Sequence, residues 1–274
     1  MLSEDYQQRF GGIARLYGVV ALGQFHDSHV CVIGVGGVGS WMVEALARSG
    51  IGAITMIDLD DVCITNTNRQ LPALEGGYGR PKVEVLAQRV TQIHPGCRVQ
   101  PVAEFVTESN VCRLLSSGFD LIIDAVDRMS IKAAIIDTAR ALDLPIITSG
   151  SAGGRRDPTS IRVSDLGHSG SDPLLQQVRR KLRRDHGWPR CDDGRAVSMG
   201  VTAVFSSEKP VYPHPDGSCS AEVPKDLEAG LRLDCASGFG AATHVTGAFA
   251  FAAVSAALKI LSSLETTALS RSNE

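Results

Sequence analysis

A chain of 274 residues, 43% hydrophobic and 21% charged, can bury a large core as one extended domain or as a domain with a sizeable extension. A net charge of −3, from 27 Lys and Arg against 30 Asp and Glu, excludes a generally basic nucleic-acid binder, so any nucleic-acid contact must be a local patch. The acidic start Ser3-Glu4-Asp5 lacks the basic and apolar runs of a signal peptide, and seven cysteines, an odd number, predict mostly free core thiols in a reducing cytoplasm.

In chain order, the apolar run His29–Ile33, a glycine cluster, a helical stretch to about Arg48 and a second apolar run over 53–58 read as a β-α-β unit. Pro81 opens a helical pattern through Val83, Val85, Leu86, Val90 and Ile93, followed by a strand-like stretch over 97–106 and a short helix across Val111, Leu114 and Leu115. Residues 119–127 are almost continuously apolar, as strands are when helices cover both faces of a parallel sheet. A helix over 132–142 and a strand over 145–148 continue the alternation. The pattern predicts an α/β class: a Rossmann-like, doubly wound, mostly parallel sheet.

After Gly150 the composition shifts to Gly, Ser, Pro and Arg, with a basic run over 178–185 and a turn-rich stretch to about Gly217. This region is expected to face a substrate. The apolar block from Ala236 to Leu258 holds no charged residue and is long enough to span a membrane. Its many Ala and Gly residues, with Thr243, His244, Thr246 and Ser255, make it weakly apolar, which predicts a buried core or dimer-interface helix. Peripheral or inner-membrane association stays open.

The chemistry concentrates in the first half. Gly34, Gly36, Gly37 and Gly39 lie between a strand and a helix, where absent side chains let backbone N–H groups reach phosphates. Asp58 follows at the spacing of a ribose-binding acid, a combination that suits NAD as well as ATP. The stretch Asp58-Leu59-Asp60 through Asn66, Arg69 and Gln70, and then Lys82, is less easily explained by hydride transfer. Singly, Arg69 or Lys82 reads as a solvated surface charge; together they supply two cations for a triphosphate. Asp127, at the end of the apolar strand, adds a carboxylate suited to Mg²⁺.

These motifs together, over about residues 9–150, resemble the adenylation domain shared by ubiquitin-activating enzymes and their bacterial molybdopterin and thiamine counterparts. The resemblance implies that Gly34, Gly36, Gly37, Gly39, Asp58, Asp60, Asn66, Arg69 and Lys82 bind ATP, with Asp58 on the ribose and Asn66, Arg69 and Lys82 on phosphates. It implies that Asp127 positions Mg²⁺, that Arg69, Lys82, Asp127 and Arg15 serve catalysis, and that Arg9 or Arg15 extends into a neighbour's site in a homodimer. The chain would form one adenylating domain over 1–274, with an ATP-binding half over 9–150 and a substrate-facing and dimerisation region over 151–274.

The sulfur-carrier branches commonly carry two Cys-x-x-Cys pairs for zinc, and no such pair occurs here. Arg9-Phe10-Gly11-Gly12 with Arg15-Leu16-Tyr17-Gly18, Ala152-Gly153-Gly154 with Asp157-Pro158-Thr159, and the run from Cys235 to Thr243 resemble instead the tRNA-modifying dehydratase branch. That branch uses ATP to activate the threonyl carboxylate of threonylcarbamoyladenosine next to the anticodon, releasing AMP and pyrophosphate while a ring closes with net loss of water. Its partner would be tRNA carrying that modification. Arg179, Arg180, Lys181, Arg183 and Arg184 are the candidates for tRNA phosphates, with Arg155, Arg156 and Arg162 behind them; an exposed helix face explains the run equally well. Cys191 and Cys235 are the thiols to test for a persulfide or thioester, and neither is expected to be essential. Ala203 stands where the branch has a cysteine before Val-Phe-Ser, which weakens a fixed-cysteine mechanism. Adenylation of a ubiquitin-like sulfur carrier, a monovalent cation and sulfur-relay partners stay open.

Overall fold

Strand β1 (His29–Ile33) alternates its side chains so cleanly that Val30 and Val32 enter one core while Cys31 and Ile33 enter another on the opposite face. The computed structural model describes residues 2–190, 195–223 and 239–263. Two helices, α1 (Glu4–Tyr17) and α2 (Val19–Asp27), precede β1. Helix α1 buries only Tyr6 and Phe10, and the Tyr6 hydroxyl fastens it to the body by donating to the Gly50 carbonyl at 2.6 Å.

The chain then runs through α3 (Gly39–Arg48), β2 (Ala53–Ile57), α4 (Lys82–Ile93), β3 (Arg98–Val102), α5 (Val111–Leu115), β4 (Leu121–Asp124), α6 (Met129–Ala141) and β5 (Ile146–Ser149). After these come β6 (Ile161–Asp165), α7 (Pro173–Asp185), β7 (Thr202–Ser206), a short pair β8 (Tyr212–Pro213) and β9 (Cys219–Ser220), and α8 (Thr243–Leu261). The large sheet has seven strands in the order β3-β2-β1-β4-β5-β7-β6, all parallel except β6, which runs antiparallel to β7. This is the doubly wound, mostly parallel sheet that the alternation predicts. It does not stop at residue 150, because β7 pairs directly with β5 (Ile147 against Thr202).

Helices α3, α4 and α8 cover one face and α5, α6 and α7 the other. Helix α8 inserts Val245, Phe249, Ala250, Ala253, Val254, Ala257, Leu258 and Leu261 into the core beside α3 and the ends of β5 to β7. It is long and apolar enough to cross a membrane by length and composition, yet 56% of that window is buried within the fold. The block is thus a core helix from Thr243 onward, and residues 236–238 lie outside the described residues.

The thiols depart from the expectation of mostly core positions: Cys31 is buried and Cys97 half-buried, whereas Cys63, Cys112 and Cys219 are exposed. Apolar neighbours in sequence did not imply burial, since Cys63 and Cys112 sit in loop and short-helix segments at the strand ends. Cys191 and Cys235 lie outside the described residues. Ala203 is fully buried in β7, inside the α5–α7 core.

Candidate active site

The strand order reverses at β1, whose neighbours are β2 on one side and β4 on the other, so a crevice opens beyond its carboxyl end. Gly34 leaves β1 with φ +81°, a conformation that favours glycine, and its Cα faces Ala125 and Val126 at distances of 3.1–3.2 Å for any added Cβ. A methyl group at Gly39 would collide with the Gly34 carbonyl, lying 2.9 Å from its carbon and closer still to its oxygen. The loop therefore closes on itself before α3 starts. No side chain caps the first turn of α3 and no acid occupies it, which leaves its positive end open to an anion.

Asp58, at the end of β2, fixes that loop from the side. Its Oδ2 accepts from the Val35 amide at 2.8 Å and its Oδ1 from the Asp60 amide at 2.9 Å. Each carboxylate oxygen retains a second lone pair for a hydroxyl donor.

Arg69 lies against the glycine loop, its Cγ 3.4 Å from where a Gly37 Cβ would stand. One guanidinium nitrogen, Nη1, donates to the Thr65 carbonyl at 2.8 Å and to Asn68 Oδ1 at 2.9 Å, while Trp41 Nε1 donates to the Arg69 carbonyl at 3.1 Å. The backbone is thus clamped, and Nε and Nη2 stay available. Asn66 is buried, and its Oδ1 accepts from the Cys63 amide at 3.0 Å, closing the 3-10 turn Ile64–Asn66. Its role in the structure is to shape the turn that presents Arg69.

Lys82 is buried, with its ammonium on Asp60 Oδ2 at 2.8 Å; Asp60 is itself exposed. One of three N–H donors is committed there, which leaves two. Cys63, near Lys82, has its thiol pKa held below the usual value, first by the Thr65 hydroxyl hydrogen bond.

Asp127 is exposed and makes no hydrogen bond or ion pair among the described residues. Behind it stands a triad absent from the sequence expectations. Lys132 Nζ meets Asp124 Oδ2 at 2.7 Å, and the Thr148 hydroxyl donates to the same oxygen at 2.7 Å and accepts from Lys132 at 3.2 Å; all three residues are fully buried. An acid ending an apolar strand was the available signal.

The basic run forms α7, and it divides. Arg179 is buried, donating from Nη1 to the Ser169 carbonyl at 2.7 Å and to its hydroxyl, so it anchors the 166–169 turn and is not presented to solvent. That corrects the expectation of five phosphate-facing cations. Lys181 pairs with Asp185 at 3.1 Å, Arg184 with Asp185 at 2.6 Å, and Arg183 Nε donates to the Pro189 carbonyl. Arg180 and Arg184 are exposed. Arg155 is also buried, its Nε and Nη1 without hydrogen-bond partners, while Arg156 and Arg162 are exposed.

Helices α1 and α2 carry Arg15, exposed, beside Leu16, Val19 and Val20, which are 74%, 73% and 73% exposed. Arg9 is occupied by Asp5 at 2.7 Å.

A sheet that reverses at a glycine loop, with an open helix end and clamped cations beside it, is a nucleotide-binding architecture, and the ThiF family model matches residues 12–273. The tRNA threonylcarbamoyladenosine dehydratase of Escherichia coli (strain K12) is 52% identical over 259 residues, covering 94% of this chain and 95% of that protein. The crystal structure of E. coli tRNA N6-threonylcarbamoyladenosine dehydratase, TcdA, in complex with ATP superposes with a TM-score of 0.85 at 47% identity, covering 97% of this chain and 99% of that one; its AMP complex gives the same figures. The molybdopterin-synthase adenylyltransferase of E. coli is 30% identical over 126 residues, only 46% of this chain and 50% of that protein. The chain belongs to the ThiF family and, within it, to the tRNA threonylcarbamoyladenosine dehydratases.

Proposed function

We propose that this chain is an ATP-dependent enzyme that dehydrates threonylcarbamoyladenosine in tRNA through an acyl-adenylate. The observation that carries the reading is the near-complete match to the dehydratases, among them an ATP complex, set on a crevice with an uncapped helix start and Arg69 beside it.

The triphosphate lies over Gly34–Gly39 at the positive end of α3, with the ribose hydroxyls on Asp58. Arg69 offers its free guanidinium edge and Lys82 its two uncommitted N–H groups to the phosphates, while Asp60 holds the Lys82 ammonium in place. No cluster of three His, Cys, Asp or Glu residues able to cage a metal occurs among the described residues. Asp127, exposed and unpaired, fits the mode in which Mg²⁺ is carried on phosphates with one carboxylate from the protein. Bound there, Mg²⁺ would supply charge compensation for the leaving pyrophosphate.

An oxygen of the threonyl carboxylate attacks the α-phosphorus, and the bond to pyrophosphate breaks. A nitrogen of the same modification then attacks the acyl carbon and AMP leaves, taking the carboxylate oxygen with it. Both reacting groups belong to one nucleoside, so proximity carries the second step. The net result is loss of one water from the nucleoside.

The start of α8 is tied to the segment that carries Arg69: Asn68 Nδ2 donates to the Ala241 carbonyl at 2.6 Å and Thr243 Oγ1 to the Asn68 carbonyl at 2.6 Å. Arg180, Arg183 and Arg184 of α7, with Arg156 and Arg162, are the cations left for RNA phosphates. A homodimer in which Arg15 enters the neighbour's site would cover Leu16, Val19 and Val20. The working compartment is the cytoplasm, where the tRNA substrate resides.

The deciding experiment incubates the purified chain with ATP and tRNA carrying threonylcarbamoyladenosine labelled with ¹⁸O in the carboxylate. The expected result is a nucleoside lighter by one water, pyrophosphate, and AMP bearing the label, with unmodified tRNA inert. If modified tRNA is unchanged while a small Gly-Gly-tailed protein becomes adenylated, the sulfur-carrier reading replaces this one.

A further inference from the structure

The buried triad behind Asp127 has a cost that stability alone does not explain. Taking an ammonium and a carboxylate wholly out of water costs about as much as their attraction returns, and well-packed apolar side chains of similar volume often serve a core as well. What an ion pair provides and apolar packing does not is direction.

Both oxygens of the Asp124 carboxylate are committed. Oδ2 is shared by the Lys132 ammonium and the Thr148 hydroxyl, and Oδ1 accepts from the Val126 amide at 3.1 Å. The carboxylate is therefore held rigid from β5 and α6 and itself holds the turn that follows β4. That turn is held from the other side as well: the Ala125 amide donates to the Ile33 carbonyl of β1 at 2.9 Å, and Ala125 and Val126 lie so close over Gly34 that a Cβ there would stand 3.1–3.2 Å from them. Asp127 is the next residue. Lys132 also fixes the start of α6, which has no side-chain cap at Arg128 to define it. Two elements leaving the sheet edge, the turn and the helix, are thus referenced to one carboxylate placed between the glycine loop and Asp127.

We infer that Asp124, Lys132 and Thr148 form a positioning device for adenylation: they set the path of the 125–127 turn, and through it the place of Asp127 relative to a nucleotide in the glycine loop. None of the three touches substrate, since all are fully buried. They are positioning residues and not catalytic ones. The inference rests on the assignment of Asp127 to the metal-carrying nucleotide.

The test compares the full chain with Thr148→Val, which removes one hydroxyl at constant shape, and with the pair Asp124→Asn plus Lys132→Met, which leaves no unpaired charge. Each is made with and without Asp127→Ala, and thermal melts show that the variants are folded. Two quantities are read: calorimetric binding of a non-hydrolysable ATP analogue with and without Mg²⁺, and turnover as Mg²⁺ is titrated.

The expected result is that Thr148→Val and the paired variant leave metal-free analogue binding within about twofold, and lose the tightening that Mg²⁺ adds. They also raise the half-saturating Mg²⁺ about tenfold with a fall in kcat. Added to Asp127→Ala, they cost nothing more, because both changes spoil one interaction. Effects that multiply with those of Asp127→Ala, or triad variants with an unaltered Mg²⁺ response, overturn the inference and leave the role of Asp127 intact. If Asp127→Ala alone changes neither Mg²⁺ response nor turnover, the assignment of Asp127 fails and the inference falls with it.

Discussion

Replacing Gly39 by alanine tests whether the glycine loop is the phosphate cradle or only a tight turn. The added methyl would stand 2.9 Å from the Gly34 carbonyl carbon and nearer still to its oxygen, both backbone atoms, so no rotamer change relieves the clash. An ordinary carbon–carbon contact is about 3.5–4.0 Å, so loop and helix must part by roughly 1 Å. Overpacking of this kind costs on the order of 1–3 kcal/mol of stability, and a misplacement of about 1 Å at a reacting group costs about a hundredfold in rate, or ~2.7 kcal/mol. The control is Gly52→Ala, whose methyl would meet the His26 carbonyl carbon at 2.7 Å on the far side of α3, away from the crevice. Both variants should melt earlier; only Gly39→Ala should lose about a hundredfold in kcat/KM for ATP, read by pyrophosphate release, with calorimetry reporting the loss in nucleotide affinity. Equal kcat/KM for the two variants at a temperature where both are folded would refute the cradle.

Three further outcomes are expected. Arg69→Ala should lower kcat about 10²–10³-fold with little change in melting temperature, because its guanidinium edge is held at the crevice and buries no core; steady-state kinetics and a thermal melt report the two. Neutralising Arg180 and Arg184 together should reduce the slope of log binding constant against log salt by about two for modified tRNA, whereas Arg179→Ala should chiefly lower the melting temperature; filter binding across salt concentrations separates them. His94 is buried against Tyr6 and Phe10, and burial, the largest cause, pulls its pKa below the usual value. The unfolded chain then binds the proton first as pH falls below about 6.5, so stability contributed by neutral His94 is present above that pH and is lost on acidification. Melts at pH 7 and pH 5 should show the loss, and His94→Phe should flatten it.

How far such sites are legible in a sequence depends on whether a residue's role is set by its local run or by a distant partner. The glycine loop was readable because Gly34 and Gly39 constrain each other across five residues, and the central strands β1, β2 and β4 because they are buried and almost wholly apolar on both faces. Helices α1 and α2 were not, although α1 sets Tyr6, Phe10, Ile13 and Tyr17 at helical spacing toward the core and α2 buries Ala21, Leu22 and Phe25, because Gly11, Gly12 and Gly18 within the run read as breakers. Arg179 shows the finer distinction. It stands four residues after Leu175 and three before Leu182, on the stripe that buries Leu175, Val178 and Leu182, so helical periodicity assigns it inward while composition alone assigns it to the surface. Lys82 gives the opposite case: nothing in its neighbourhood announces Asp60, 22 residues upstream, whereas Asn66 is claimed locally by the Cys63 amide three residues before it. A charge in a sequence can be assigned to a ligand only after the fold has had the first claim on it. Asp127, which no described residue claims, and Arg69, claimed at one nitrogen alone, are for that reason the side chains whose removal should be felt in turnover before it is felt in stability.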